Sequence, residues 1–162
     1  MPPSSAHQGA GFRLYTAEQR QRRDETVWTT VQAILAPLQF AAFAVSLVLV
    51  LRFVMTGAGY EAATISILVK TALLLTIMVT GAIWEKVVFG QYLFAPAFFW
   101  EDVFSFAVIA LHLAYVWVLL TGRLGPEGQM LVALAAYVAY AINAGQFLLK
   151  LRAARLEAGV PV

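Results

Sequence analysis

The side chains best suited to proton transfer in this chain stand at the two ends of one apolar stretch, residues 84–102. Glu85 and Lys86 open it, Glu101 and Asp102 close it, and the fourteen residues between Lys86 and Glu101 carry no charge. Carboxyl groups that are partly dehydrated beside apolar matter can give or take protons near neutral pH. The same four charges could instead only mark helix ends, and their spacing alone favours that simpler interpretation.

The next candidate for a functional side chain is His112, eleven residues after Glu101. At 100° per residue in a helix, His112 returns to within about 20° of Glu101, and Ser105 lies about 40° away on the same face. The rise of 1.5 Å per residue separates His112 from Glu101 by roughly 16 Å along the axis, so the two side chains cannot touch. A histidine inside a membrane is either functional or a hydrogen-bonded structural residue, and the sequence leaves both alternatives open.

Polar side chains on two further apolar segments are expected to face the same region. Residues that repeat at steps of seven share one face of a helix, and the first segment has Glu25, Gln32, Gln39 and Ser46 at this spacing. The last segment has a broad polar face near its end, formed by Tyr140, Asn143, Gln146 and Lys150. Hydrogen bonds between helices explain both sets as well as ligand binding does.

The composition places these residues in a membrane protein. Of the 162 residues, 61% are apolar and 12% are charged, with a mean hydropathy of +0.77, whereas about 25% of residues are charged in soluble domains. Four apolar runs are long enough to span a bilayer as helices, at residues 31–55, 62–83, 103–121 and 130–149. We therefore expect an all-α integral membrane bundle of four transmembrane helices. Lys70 in the second helix is expected to snorkel to the nearer membrane surface.

The stretch between the second and third helices is too short to cross the membrane and return, because one helical span needs about 20 residues. It is predicted to be an apolar loop at the membrane surface. The whole chain then divides into a polar, basic N-terminal tail at residues 1–25, the four-helix domain at residues 26–155 and a short C-terminal tail at residues 156–162.

The distribution of basic residues predicts the orientation. If both termini lie on one side, that side holds eight Lys and Arg residues, and the opposite side holds only Arg52 and Arg123. The positive-inside rule then places both termini and the apolar loop in the cytoplasm. Because an arginine-rich segment directly before a span is more often a membrane anchor than a nucleic-acid site, we expect no nucleic-acid partner.

Several kinds of cofactor are excluded by counting residues. The absence of cysteine rules out disulfides, thiolate metal sites and iron–sulfur clusters. A bis-histidine haem needs two membrane histidines, but the only other histidine is His7 in the tail. No glycine-rich phosphate loop and no zinc or di-iron spacing occurs. We therefore expect neither a metal centre nor a cofactor, and proton chemistry remains.

Four segments carry a family resemblance: YTAEQRQRRDETVW at residues 15–28, LAPLQF at 35–40, GAIWEKVVFGQYLFAPAFFWEDVFS at 81–105 and INAGQFLLKLRAARLEAG at 142–159. Through them the chain resembles the 3-vinyl bacteriochlorophyllide hydratase family. The resemblance implies addition of water to the C3 vinyl group of chlorophyllide a or 3-vinyl bacteriochlorophyllide a, which gives a 1-hydroxyethyl group. It also implies a bacterial intracytoplasmic photosynthetic membrane as the location, and other bacteriochlorophyll biosynthesis enzymes as possible partners.

Our assignment of catalytic roles follows from the chemistry that the resemblance implies. Protonation of the terminal vinyl carbon leaves a cation beside the macrocycle, and water then adds there. Glu101 is expected to be the acid, and Asp102 or Glu85 is expected to handle the water.

The remaining predicted residues would hold the pigment. His112 would be a magnesium ligand or pigment contact, and Gln39 and Asn143 would bond to ring carbonyl groups. Lys86 and the terminal arginines would attract the propionate, and Trp100 would stack on the macrocycle together with Phe94, Phe98 and Phe99. The alternative is a membrane protein without catalytic activity that carries pigment or assembles a photosynthetic complex.

Overall fold

The computed structural model describes residues 13–159, which form five α-helices. Their bounds are Ala17–Glu25 (α1), Val27–Thr56 (α2), Tyr60–Phe89 (α3), Phe99–Thr121 (α4) and Pro126–Ala158 (α5). Helices α2 to α5 are each long and apolar enough to cross a membrane. The prediction of an all-α protein with four membrane spans is therefore confirmed. Each helix runs past its apolar segment, because the backbone hydrogen bonds continue into the polar residues at the ends.

Part of the predicted polar tail is folded. Helix α1 starts at a capping box, in which the Thr16 hydroxyl accepts from the Gln19 backbone amide and the Gln19 side chain accepts from the Thr16 amide. It ends at Thr26, whose hydroxyl caps the start of α2. Glu25 thus belongs to α1 and does not extend the polar stripe of α2. The expectation that Glu25 shares one helix face with the other residues at steps of seven is therefore wrong.

The four long helices form two antiparallel hairpins, α2 with α3 and α4 with α5. The turns need left-handed backbone at Gly57, Gly59 and Gly122, where φ is 70°, 88° and 62°, and glycine adopts this conformation at little cost. Pro126 occupies the first turn of α5, where its missing amide proton has no helical partner in any case. The two hairpins lie against each other through α2 with α5 and through α3 with α4.

The interior of the bundle is partly polar. Ser46 of α2 is buried and bonds to the hydroxyl groups of Ser66 and Tyr137, while Gln32 donates to Thr80 at 2.7 Å. Gln39 is also buried. The polar face predicted for this helix therefore points into the bundle, where its hydrogen bonds join α2 to α3 and α5.

Lys70 does not reach the membrane surface, and its expected snorkelling is wrong. The side chain has no exposed area. Its amine lies 3.2 Å from His112 Nε2 and 3.7 Å from the centre of the Tyr140 ring. These contacts point the side chain into the bundle, because imidazole and aromatic partners there replace the water that snorkelling would provide.

Candidate functional site

The loop that joins α3 to α4, residues 90–98, folds back over two buried carboxyl groups. The backbone amide of Phe94 donates to Asp102 Oδ2 at 2.7 Å, and the amide of Ala95 donates to Glu85 Oε2 at 3.2 Å. Phe94 has a φ of 59°, which residues other than glycine rarely adopt. The two acids thus hold the loop in a strained shape.

Glu85 and Asp102 lie under the same loop, where each carboxyl group accepts from one of two consecutive backbone amides. Their exposed fractions are 5% and 3%. Two buried carboxylates held near each other repel, and a proton shared between them would remove that repulsion. We call these two residues the acid pair.

The helix dipoles indicate which of the two carboxyl groups would hold a shared proton. Asp102 lies in the first turn of α4, where the partial positive charge of a helix N-terminus stabilises a carboxylate. Glu85 lies one turn before the end of α3 at Phe89, where the partial negative charge disfavours one. Asp102 also has the shorter bond to a backbone amide. Glu85 is therefore the better holder of the proton.

Glu101 occupies a different environment, although it is adjacent to Asp102 in sequence. Its Oε2 lies 3.6 Å from Lys150 Nζ of α5, and the residue is 5% exposed. Lys150 also donates to the Ala97 carbonyl oxygen at 2.5 Å. Glu101 Oε2 itself has no hydrogen-bond partner among the described residues. Glu101 thus has a cationic neighbour and one carboxyl oxygen that no described hydrogen-bond donor occupies.

Asn143 fixes the backbone that carries Glu101. Its side-chain amide donates to the Glu101 carbonyl oxygen at 3.0 Å, and its oxygen lies 3.1 Å from the Ser105 hydroxyl. The Ser105 hydroxyl also lies 2.8 Å from the same Glu101 carbonyl. Asn143 therefore joins α5 to the first turns of α4, and its polar atoms are occupied by protein groups.

An exposed aromatic surface borders the acid pair. The Phe94 ring lies 5.7 Å from the Phe99 ring and stacks at 5.6 Å on the Phe106 ring. Trp100 packs edge-on against Phe99 and is 65% exposed. We call these four residues the aromatic face. Because the Phe94 amide is bonded to Asp102, the aromatic face and the acid pair meet at the α3–α4 loop.

Two other predicted residues have partners or positions that limit what they can do. Lys86 is exposed, donates to the Gly90 carbonyl at 2.8 Å and lies over the Tyr92 ring. Gln39 is buried, and its Oε1 has no partner among residues 13–159. That oxygen only accepts hydrogen bonds, as a ring carbonyl does, so Gln39 could bond to a carbonyl only through Nε2.

His112 shares the buried face of α4 with Glu101 and Ser105, as the helical spacing predicts. Its Nδ1 lies 2.7 Å from the Val108 carbonyl, which can only accept, so Nδ1 carries the proton and Nε2 accepts from Lys70. The ring is 1% exposed. Both nitrogens are thus occupied, and magnesium would have to displace Lys70 to reach His112.

The sequence places the acids near one another but does not show which side chains pair. It assigns Lys150 to the polar face of the last helix without a role, and it gives no reason to single out Phe106. Lys150 stands at the end of the helical series that includes Asn143 and Gln146. This shared helix face is the signal that could have predicted a contact between Lys150 and Glu101. Within the described chain, no three His, Cys, Asp or Glu side chains gather as metal ligands.

Comparison with known proteins gives consistent matches along the chain. A family profile described as 2-vinyl bacteriochlorophyllide hydratase matches residues 15–153. A protein of that name from Rhodobacter capsulatus is 73% identical over 157 residues, which cover 96% of this chain and 91% of the relative. Another of that name, from Cereibacter sphaeroides, is 70% identical over 156 residues, which cover 96% and 94%. No solved structure matches this chain.

Proposed function

This chain belongs to the 2-vinyl bacteriochlorophyllide hydratase family, and from this premise we propose that the buried carboxyl groups around the α3–α4 loop hydrate the vinyl group of the pigment. The names with 2-vinyl and with 3-vinyl denote the same family. The protein is a hydro-lyase of bacteriochlorophyll synthesis that acts on a chlorophyllide-type substrate in a membrane.

The acid pair supplies the proton in our proposal. Glu85 and Asp102 share one proton, and transfer of that proton to the terminal vinyl carbon leaves a cation on the carbon next to the macrocycle, where conjugation spreads the charge. A proton held between two dehydrated carboxyl groups is not lost to water before the pigment arrives. The observation that carries the proposal is the burial of both carboxyl groups under the loop, beside two consecutive backbone amides.

Glu101 handles the water. Water that adds to the cation must lose a proton, and Glu101 Oε2 can accept it because no described hydrogen-bond donor occupies that oxygen. The proton then returns to the acid pair, so the site is restored after each turnover. This exchanges the two roles expected from the sequence, because Glu101 has an unoccupied oxygen beside the Lys150 ammonium, whereas the two carboxyl groups of the acid pair lie together under the loop.

The aromatic face holds the macrocycle. Phe94, Phe99, Trp100 and Phe106 present a broad apolar surface, and flat conjugated rings stack on such side chains. Because Phe94 is bonded to Asp102, a vinyl group at the edge of the stacked pigment would meet the acid pair once the loop shifts. Lys86 would contact the pigment at the exposed edge of the site. Asn143 acts as a positioning residue for Glu101.

His112 and Gln39 take other roles in this proposal. The bond of His112 to Lys70 joins α4 to α3, so we assign it to the packing of the hairpins and not to the pigment. The free Oε1 of Gln39 suits a water molecule better than a ring carbonyl. An absorption spectrum of bound pigment that shifts in a His112→Leu variant would contradict the first assignment.

The hydration assay tests the function itself. Membranes that contain the protein, incubated with a 3-vinyl chlorophyllide in oxygen-labelled water, should yield a pigment heavier by one labelled water. Membranes from the same host without the protein are the control. The rival interpretation is a pigment carrier or assembly subunit, which would bind the pigment and leave its mass unchanged.

We further propose that both termini and the α3–α4 loop face the cytoplasm, in the intracytoplasmic photosynthetic membrane. The basic residues at both ends of the chain support this orientation. Because the chain has no cysteine, a Gln91→Cys variant carries one thiol, and it should react with an impermeant maleimide only from the cytoplasmic side. An Ala58→Cys variant in the α2–α3 turn is the opposite-side control. Labelling of the Gln91→Cys thiol from outside would reverse the orientation.

A further inference from the structure

We propose that a cleft at the start of α1 binds the free side-chain carboxylate of the pigment, an inference that rests on the function proposed above. The cleft has a volume of about 190 Å³ and is lined by Arg13, Tyr15, Thr16, Ala17 and Arg20. It lies outside the residues assigned to catalysis and outside the aromatic face.

The cleft is bordered by two arginines that have no ion-pair partner among the described residues. Arg22 and Arg23 are paired with Glu18 and Asp24, whereas Arg13 and Arg20 form no ion pair within residues 13–159. Two arginine side chains beside one small concavity attract an anion, and the planar fork of a guanidinium group matches the two oxygens of a carboxylate. The cleft is therefore a cationic site that the rest of the described chain leaves without a counter-ion.

Tyr15 connects the cleft to the catalytic region. Its side chain is buried, and its ring stacks at 5.7 Å on the Phe89 ring and lies 6.5 Å from the Phe98 ring. Phe89 follows Glu85 by one helical turn, which is about 6 Å along the axis. The cleft thus lies beyond the end of α3, with the Tyr15 ring between it and the helix that carries Glu85.

The chemistry of the substrate fits this arrangement. A bacteriochlorophyllide, the substrate class in the names of the relatives, is a pigment acid with a free carboxylate, and an esterified pigment lacks that charge. The carboxylate is costly to bury in the apolar membrane, but the macrocycle is not. Arg13 and Arg20 would hold the carboxylate at the polar surface and so orient the vinyl edge toward the acid pair. The enzyme would then select the acid over its ester.

The test compares two substrates in membranes that contain the full chain: the pigment acid and its methyl ester at that carboxyl group. The wild type should convert the acid with a kcat/KM about tenfold above that of the ester, the effect of one lost charged contact. The Arg13→Gln, Arg20→Gln double variant should lose this preference through a higher KM for the acid, with kcat and the ester reaction unchanged. Arg52→Gln, at an exposed arginine near the far end of α2, is the control that should keep the preference.

Three results would overturn the inference. The first is a double variant that keeps the full preference for the acid. The second is a double variant whose kcat/KM falls equally for the acid and for the ester. The third is a KM that changes with the anionic lipid content of the membranes for both substrates. That result would identify the cleft as a lipid headgroup site. Failure of the wild type to hydrate either substrate would instead refute the proposed function.

Discussion

Glu85→Gln is expected to lower kcat for vinyl hydration by about 10²- to 10⁴-fold, the usual contribution of a general acid. The substitution removes the proton but keeps the contacts. A glutamine oxygen still accepts from the Ala95 amide, and its NH₂ group donates to Asp102 in place of the shared proton. The loop and the fold should therefore be retained, so the loss would report chemistry. The measurement is initial rate against pigment concentration, together with a thermal melt.

The matched control for this variant is Glu157→Gln. Glu157 is also a carboxylate that accepts from a backbone amide, that of Leu14 at 3.1 Å, but it stands at the end of α5. It should keep the wild-type rate. A Glu85→Gln variant that hydrates the pigment at the wild-type rate would show that the acid pair only anchors the loop, which is the simpler interpretation of charges at helix ends.

The second large effect is expected for the pair of Glu101 and Lys150, tested as a double-mutant cycle. Glu101→Gln should reduce kcat by about 10²-fold or more, because the water loses its proton acceptor. Lys150→Gln should also reduce kcat, and it should lower the free energy of unfolding by about 1–3 kcal/mol, because a buried carboxylate loses its counter-ion.

The double variant separates the two roles. With both charges replaced by amides, no uncompensated charge remains, so the stability lost in Lys150→Gln should return while the activity does not. Thermal unfolding in detergent and the hydration rate measure the two quantities on one preparation. Equal activities in Lys150→Gln and the wild type would show that Glu101 does not need its ammonium neighbour, and recovered activity in the double variant would exclude Glu101 as the base.

The polar faces were the part of the site that the sequence could predict. Glu101, Ser105 and His112 do share the buried face of α4, and Gln39 and Ser46 do point into the bundle. These predictions succeeded because the spacing of residues along one helix fixes which of them share a face. The catalytic role of each residue is a separate matter and is left to the variants above.

The partners across helices could not be predicted. Lys70 shows why: its depth and its neighbours in sequence suggested an amine that extends to the surface, but His112 and Tyr140 on two other helices receive it in the interior. The same holds for Lys150, whose contact with Glu101 joins residues far apart in the chain. Such contacts depend on how far one helix is shifted against another, which no single segment encodes.

By itself, the sequence determined the all-α class, the four membrane spans and the acids at the ends of one apolar loop, because hydropathy and helical period are local properties. Only the tertiary structure decided that Glu85 and Asp102 lie under one loop while Glu101 lies beside Lys150. That decision follows from the register between α3, α4 and α5, and from the two loop amides that hold the acid pair in place. Three neighbouring acids of similar chemistry are thereby given different environments, and the environment determines which one holds a proton.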